Sequence, residues 1–257
     1  MSRLLAFAPV HALHQTAQLF VRPDALTPWL VPLHLGCAAL AVKRPRLAMG
    51  LTAVLGAAQC AAAFPRTATH LWLGVVVSVL FALVGDDEEE LPRVALALPL
   101  IVLGWSGVQK LVNGHWFHGE LLAWLAVSRP DVTLTVLPFI GEGELQGLQR
   151  VDGSGPFRLG GGWAVLSNAV WVVELCVPLA AIPSALRPRL WWLLLGLLWS
   201  LQLVAHEWQF ALLMSNVLLC CAPAAVQPRW RATIVAVLLG LVVARLLGVH
   251  VPAELVT

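Results

Sequence analysis

The chain has 257 residues, of which 59% are hydrophobic and only 12% charged, and its formal net charge is +2. This composition excludes an ordinary soluble domain, and so small a net charge gives no reason to expect a nucleic-acid partner. We therefore expect an integral membrane protein whose main partner is the lipid bilayer.

Most of the chain consists of apolar segments close to the length of about 20 residues that a bilayer requires. Residues 4–20 carry His11, His14, Gln15 and Gln18 among apolar positions, which favours an amphipathic or short first helix and leaves open whether it spans. The prediction is an all-α, polytopic helical membrane protein with about eight transmembrane helices, forming a single domain over residues 1–257. The apolar segments cover residues 26–42, 47–64, 68–85, 91–112, 163–182, 189–205, 208–224 and 231–249.

Residues 113–162 form the one long interruption of this pattern. The segment from Trp116 to Val127 is apolar but too short to span, which predicts a re-entrant or interfacial helix. The glycine clusters that follow it are typical of loop. An irregular segment of this length is more often functional than idle.

Basic residues predict the orientation of the spans. They lie in loops of the same parity, at Lys43, Arg44 and Arg46, at Arg187 and Arg189, and at Arg229 and Arg231, so these loops are expected in the cytoplasm. The acidic run over residues 86–90 falls on the same side. Three groups of ionisable residues are then expected together on the extracytoplasmic side of the membrane. They are His70, the end of the fourth span from Lys110 to His118, and the turn His206-Glu207.

The richest candidate stretch is residues 103–119, where an apolar helix ends in a lysine, amides, glycines and two histidines. Lys110 can snorkel to the interface, or apolar surroundings can favour a neutral amine that acts as a general base. Gly104 and Gly107 allow close approach of a helix or a flat ligand. His70 is suited to donating a hydrogen bond to a ligand oxygen. The residues predicted to bind a substrate or another flat ligand are Trp105, Gly107, Gln109, Asn113, His115, Trp116, His118, His206 and Glu207.

Two further patterns involve ionisable side chains. His115 and His118 are three residues apart with Glu120 nearby, but no third and fourth ligand follows at a known spacing, so we expect no metal. Glu174 lies within the fifth span, where a carboxylate needs a partner, and Arg245 in the last span is one possibility.

Three short motifs resemble those of vitamin K-dependent gamma-carboxylases and of the broader bacterial HTTM domain family. Residues 105–111 (WSGVQKL) and 115–119 (HWFHG) are similar to the family's Gly-Val-x-Lys-Leu and Trp-x-x-Gly segment. Residues 69–73 (THLWL) resemble its earlier histidine motif, and residues 201–206 (LQLVAH) with 210–214 (FALLM) resemble its late hairpin. The resemblance covers about residues 60–225.

The resemblance implies a membrane enzyme that oxidises a hydroquinone with molecular oxygen, uses the strong base so formed to remove a gamma proton from a peptide glutamate, and adds carbon dioxide. It implies reduced vitamin K or another naphthohydroquinone as cofactor, a peptide as substrate, Lys110 as the base and His70 as a hydrogen-bond donor to the ring oxygen. A bacterial inner membrane is the expected location. The alternatives are a non-catalytic HTTM-type accessory protein for peptide maturation or export, and a DoxX-like quinone-interacting redox subunit.

Overall fold

The computed structural model describes residues 2–21, 25–64, 69–114, 117, 119–128, 133, 143, 161–181, 187–205, 208–223 and 225–248, and all regular structure within them is helical. The all-α prediction is thus confirmed for the described part of the chain. The helices are α1 (Arg3–Val21), α2 (Thr27–Ala41), α3 (Pro45–Ala63), α4 (Thr69–Val84), α5 (Glu90–Asn113), α6 (Glu120–Ser128), α7 (Gly161–Ala180), α8 (Arg187–Ala205), α9 (Trp208–Leu218) and α10 (Gln227–Leu246).

Three of the described helical segments are long and apolar enough to cross a membrane, namely Pro45–Ala63, Glu90–Asn113 and Gly162–Ala180. The count of about eight spans is not supported. Thr27–Ala41, Leu71–Val84, Leu190–Ser200 and Trp208–Leu218 are apolar but shorter. α1 and α10 carry histidines, glutamines or arginines along their length, which lowers their apolar character. The short helix expected between Trp116 and Val127 is present as α6.

The chain folds into two compact units. Unit 1 comprises Met1–Leu96, Leu194–Leu198 and Glu207–Thr257, and unit 2 comprises Ala97–Leu193 and Trp199–His206. α5 therefore begins in unit 1 and ends in unit 2. The expectation of one membrane domain over residues 1–257 stays a prediction.

α1 is the central helix of unit 1 and is buried around its circumference. Its polar residues His11, His14, Gln15 and Gln18 follow the spacing i, i+3, i+4, i+7 and share one face, yet each is at most 3% exposed. The amphipathic reading of residues 4–20 would put this face in water or at an interface, and the structure buries it instead. Other helices supply polar partners to the two histidines: the His11 Nε2–Ser78 Oγ distance is 2.7 Å, and His14 Nε2 donates to the Gln209 carbonyl at 2.9 Å.

The apolar side of α1 is anchored by Phe7, which is fully buried and packs on Phe81 with ring centroids 4.5 Å apart. Phe7→Ala should lower the free energy of unfolding by about 3 kcal/mol, because the cavity it leaves cannot collapse within a packed bundle. Unfolding in mixed detergent and dodecyl sulfate measures this. Phe64→Ala is the matched control, because Phe64 is 73% exposed; equal losses in the two variants would contradict a central position for α1.

Asp87 lies just before α5 and gives the acidic run a structural role. Its Oδ1 accepts hydrogen bonds from the backbone N–H groups of Glu90 and Glu89, both at 2.9 Å, as an N-cap residue does. These two donors, that of Glu90 first, lower the pKa of Asp87 below its ordinary value of 3.8. The capping carboxylate thus favours the folded helix end whenever it is ionised.

Asp87→Asn keeps a capping oxygen and removes the titration. Because the folded-state pKa is lowered, the contribution of the carboxylate is full above pH about 4 and is lost as the pH falls through the lowered value. The melting temperature of the natural protein should therefore fall relative to that of Asp87→Asn only below about pH 4. If the melting temperatures of the two proteins change with pH in the same way across this range, the carboxylate does not cap the helix.

Candidate functional site

A buried ion pair joins α5 to α7 in unit 2. Lys110 Nζ lies 2.6 Å from Oε1 and 2.5 Å from Oε2 of Glu174. The Glu174 side chain is 3% exposed and that of Lys110 is 14% exposed. A charge pair this far from solvent is among the costliest groups to bury, so both partners must be satisfied for it to persist.

The third donor of the Lys110 ammonium is satisfied by Ser106. Ser106 lies one turn earlier on α5, and its Oγ accepts from Nζ at 2.8 Å. Three acceptors around one nitrogen match the three N–H donors of an ammonium, whereas a neutral amine has only two. The contacts are therefore those of a charged pair with a serine as its third member, and the role of Lys110 as a base stays a prediction.

Two glycines bring α5 and α7 together. A Cβ added at Gly107 would lie 2.8 Å from Leu175 Cγ and 3.0 Å from the Leu175 backbone nitrogen, and one at Gly104 would lie 3.2 Å from Pro178 Cγ. The contacts run in opposite directions along the two helices, so α5 and α7 are antiparallel. Small residues at such a contact let two backbones approach closely, which brings Glu174 within reach of Lys110.

A tight turn beyond Lys110 rests on the first half of α7. Gly114 ends α5 with φ of 70°, a conformation that favours glycine, and its N–H donates to the Lys110 carbonyl at 3.2 Å. Asn168 Nδ2 donates to the Phe117 carbonyl at 2.9 Å, and the Phe117 ring packs edge-on against Trp171. Phe117, which follows Lys110 and the end of α5, is therefore fixed against the part of α7 that precedes Glu174.

The other residues of α5 that were predicted to belong to the site lie on different faces of the helix. Gly107 lies in the contact with α7, while Trp105 is 62% exposed and Gln109 and Asn113 are also exposed. Trp105 and Gln109 thus do not line the ion pair, because they lie on a different face of α5. They remain available to an apolar ligand or to lipid.

Several predicted residues cannot be located relative to the pair. The backbone of His70 is in the first turn of α4, but its side chain lies outside the described part. His115, Trp116, His118, His206 and Glu207 also lie outside the described residues, and their roles stay predictions. Within the described ranges, no three His, Cys, Asp or Glu side chains group as metal ligands.

Glu174 and Ser106 are the residues that sequence reasoning did not assign to the site. Glu174 does have the cationic partner that an intramembrane carboxylate requires, but this partner is Lys110 and not Arg245. The sequence does carry a signal for this partner. Gly104 and Gly107 lie close to Lys110 in the chain and mark the face by which α5 meets α7.

No family model, no curated protein and no solved structure matches this chain. Its chemistry must therefore be inferred from its own residues.

Gly107→Ala tests the close approach of the two helices. The added methyl group meets Leu175 backbone as well as side chain, so α7 must move, and we expect stability to fall by about 1–3 kcal/mol. Gly162→Ala on α7 is the control, because nothing lies within 4 Å of its added Cβ and alanine is the better helix former. The measurement is the melting temperature of each purified variant. A Gly107→Ala protein as stable as Gly162→Ala would mean that α5 and α7 are not in tight contact.

Proposed function

We propose that this protein is a membrane enzyme that oxidises a reduced naphthoquinone with molecular oxygen and couples this oxidation to carboxylation of a peptide glutamate. The observation that supports it most is the buried Lys110–Glu174 ion pair, because Lys110 lies on a helix whose sequence resembles the base-bearing segment of gamma-carboxylases. The overall reaction consumes hydroquinone, oxygen, carbon dioxide and glutamate, and it yields epoxide, water and gamma-carboxyglutamate.

The pair takes up one proton as a unit. Glu174 would accept one proton from a hydroquinone O–H group, and Lys110 would keep its ammonium. The pair would then change from net neutral to net positive, and the Lys110 ammonium would stabilise by its charge the negative charge left on the ligand. A bound hydroquinone would supply the reducing equivalents for the reduction of oxygen. In this proposal Lys110 is the electrostatic partner and Glu174 is the proton acceptor.

The surroundings of the pair suit such a step. Glu174 is almost fully buried and Lys110 slightly less so, hence a substrate would approach from the Lys110 side, where Ser106 fixes the ammonium. An apolar setting strengthens the charge interactions and excludes water that would quench a strong base. The same proposal includes the finer topology of about eight spans, with the site on the extracytoplasmic side of a bacterial inner membrane.

A second candidate is a non-catalytic HTTM-type accessory protein for peptide maturation or export. The observation in its favour is that Glu174 and Ser106 use all three ammonium donors, as they would in a pair that only joins two helices. A DoxX-like redox subunit would also carry the Gly107-x-x-Lys110 helix end, but would oxidise quinol without forming an epoxide. Product analysis separates the three.

The test incubates purified protein in detergent under air with reduced vitamin K, bicarbonate and a glutamate-rich peptide, and measures epoxide and quinone separately. We expect epoxide, and a loss on the order of 10²-fold or more in Lys110→Met and in Glu174→Gln, because general-base catalysis is worth that much. Arg93→Gln is the matched control, since Arg93 forms an exposed ion pair with Glu89 and Glu90 at the other end of α5.

Three results would count against the enzyme proposal. Full epoxide formation by Glu174→Gln would mean that Glu174 is not the proton acceptor, and full formation by Lys110→Met as well would remove the pair from the chemistry. Formation of quinone that depends on Lys110 and is not accompanied by epoxide would favour the DoxX-like redox subunit. Folded natural protein that consumes no hydroquinone would favour the accessory protein.

A further inference from the structure

Two arginines converge on one cysteine inside unit 1. Arg3, the first residue of α1, donates from Nη1 to the backbone carbonyl of Cys220. Arg231, in the second turn of α10, donates from Nη2 to the Sγ of the same cysteine at 3.5 Å. The two guanidinium groups therefore share a neighbour, although their residues are far apart in the chain.

Arg231 is the more unusual of the two because it is 4% exposed. Its Nε and Nη1 atoms have no hydrogen-bond partner among the described residues. Within the same residues, the ion pairs are those of Arg93 and of Lys110, and no carboxylate pairs with Arg3 or Arg231. A buried charge without a counter-ion costs several kcal/mol, and a second cation beside it adds repulsion.

Both arginines lie near the start of a helix. α1 begins at Arg3 and α10 begins at Gln227, four residues before Arg231. The two guanidinium groups therefore share Cys220 as a neighbour, and among the described residues no carboxylate pairs with either of them.

We propose that Arg3 and Arg231 bind a phosphate-type oxyanion, either the headgroup phosphate of an anionic lipid or free phosphate. The planar guanidinium presents several N–H donors that match the oxygens of such an anion, and the Nε and Nη1 donors of Arg231 have no hydrogen-bond partner among the described residues. A single bound anion would compensate both charges. The exposed Arg229 lies two residues from Arg231 and provides a matched control.

The first experiment compares melting temperatures of the full-length purified protein in an uncharged detergent, with inorganic phosphate or with chloride at equal ionic strength. Phosphate should raise the midpoint of the natural protein and of Arg229→Gln by about 3–5 °C more than that of Arg231→Gln or Arg3→Gln. The general stabilising effect of phosphate acts on all variants alike and cancels in this comparison. Arg3 is only partly buried, so Arg3→Gln keeps the test valid if Arg231→Gln does not fold.

The second experiment identifies the source of the anion by native mass spectrometry after incubation with phosphatidylglycerol or phosphatidylcholine. Retention of phosphatidylglycerol by the natural protein and by Arg229→Gln, but not by the other two variants, assigns the lipid headgroup. If phosphate raises the melting midpoint but no phosphatidylglycerol is retained, the ligand is free phosphate. If neither differs between Arg229→Gln and the Arg3 and Arg231 variants, the proposal is wrong.

Arg231→Met provides an independent check in anion-free detergent. Removing an uncompensated buried charge should raise the melting temperature, because an apolar side chain of similar length fills the space at no electrostatic cost. A lower melting temperature would mean that the guanidinium already has a partner within the chain, and that result would also overturn the anion site.

Discussion

The Lys110–Glu174 ion pair is the interaction on which the arrangement of α5 and α7 depends. A buried charge needs its partner at hydrogen-bond distance, and this requires the two helices to touch along Gly104 and Gly107. The same contact accompanies the packing of Phe117 against the first half of α7. Helix contact, turn and charge pair are thus parts of one structural constraint, and the proposed chemistry uses the same atoms.

The sequence indicates each partner of the pair separately. Lys110 stands out as an ammonium near the end of an apolar helix, and Glu174 as an intramembrane carboxylate that needs a cation. Their pairing is harder to predict, because Lys110 is three residues from the end of α5, whereas Glu174 is thirteen residues from the start of α7. At a rise of about 1.5 Å per residue, aligned helix ends would separate them in depth by roughly 15 Å. The observed pairing depends on the close contact of α5 with α7 at Gly104 and Gly107, which hydropathy does not encode.

The same limit explains the surprises in unit 1. The spacing of His11, His14, Gln15 and Gln18 correctly gives a helix with one polar face, but it does not say what covers that face. The partners come from residues 67 and 195 positions away along the chain. Arg231 is a similar case: basic residues in this segment predict a cytoplasmic loop, yet Arg231 is inside α10 and buried. Local pattern predicts helices well, whereas burial of polar groups is decided by tertiary partners.

A double-mutant cycle on the ion pair tests the central claim most directly. The free energy of unfolding would be measured for the natural protein, Lys110→Met, Glu174→Gln and the double variant. Each single change should cost about 3–5 kcal/mol because it leaves a buried polar group unpaired, and the double variant should cost clearly less than their sum. Additive losses would contradict the account, because they would mean that Lys110 and Glu174 do not interact in the folded protein.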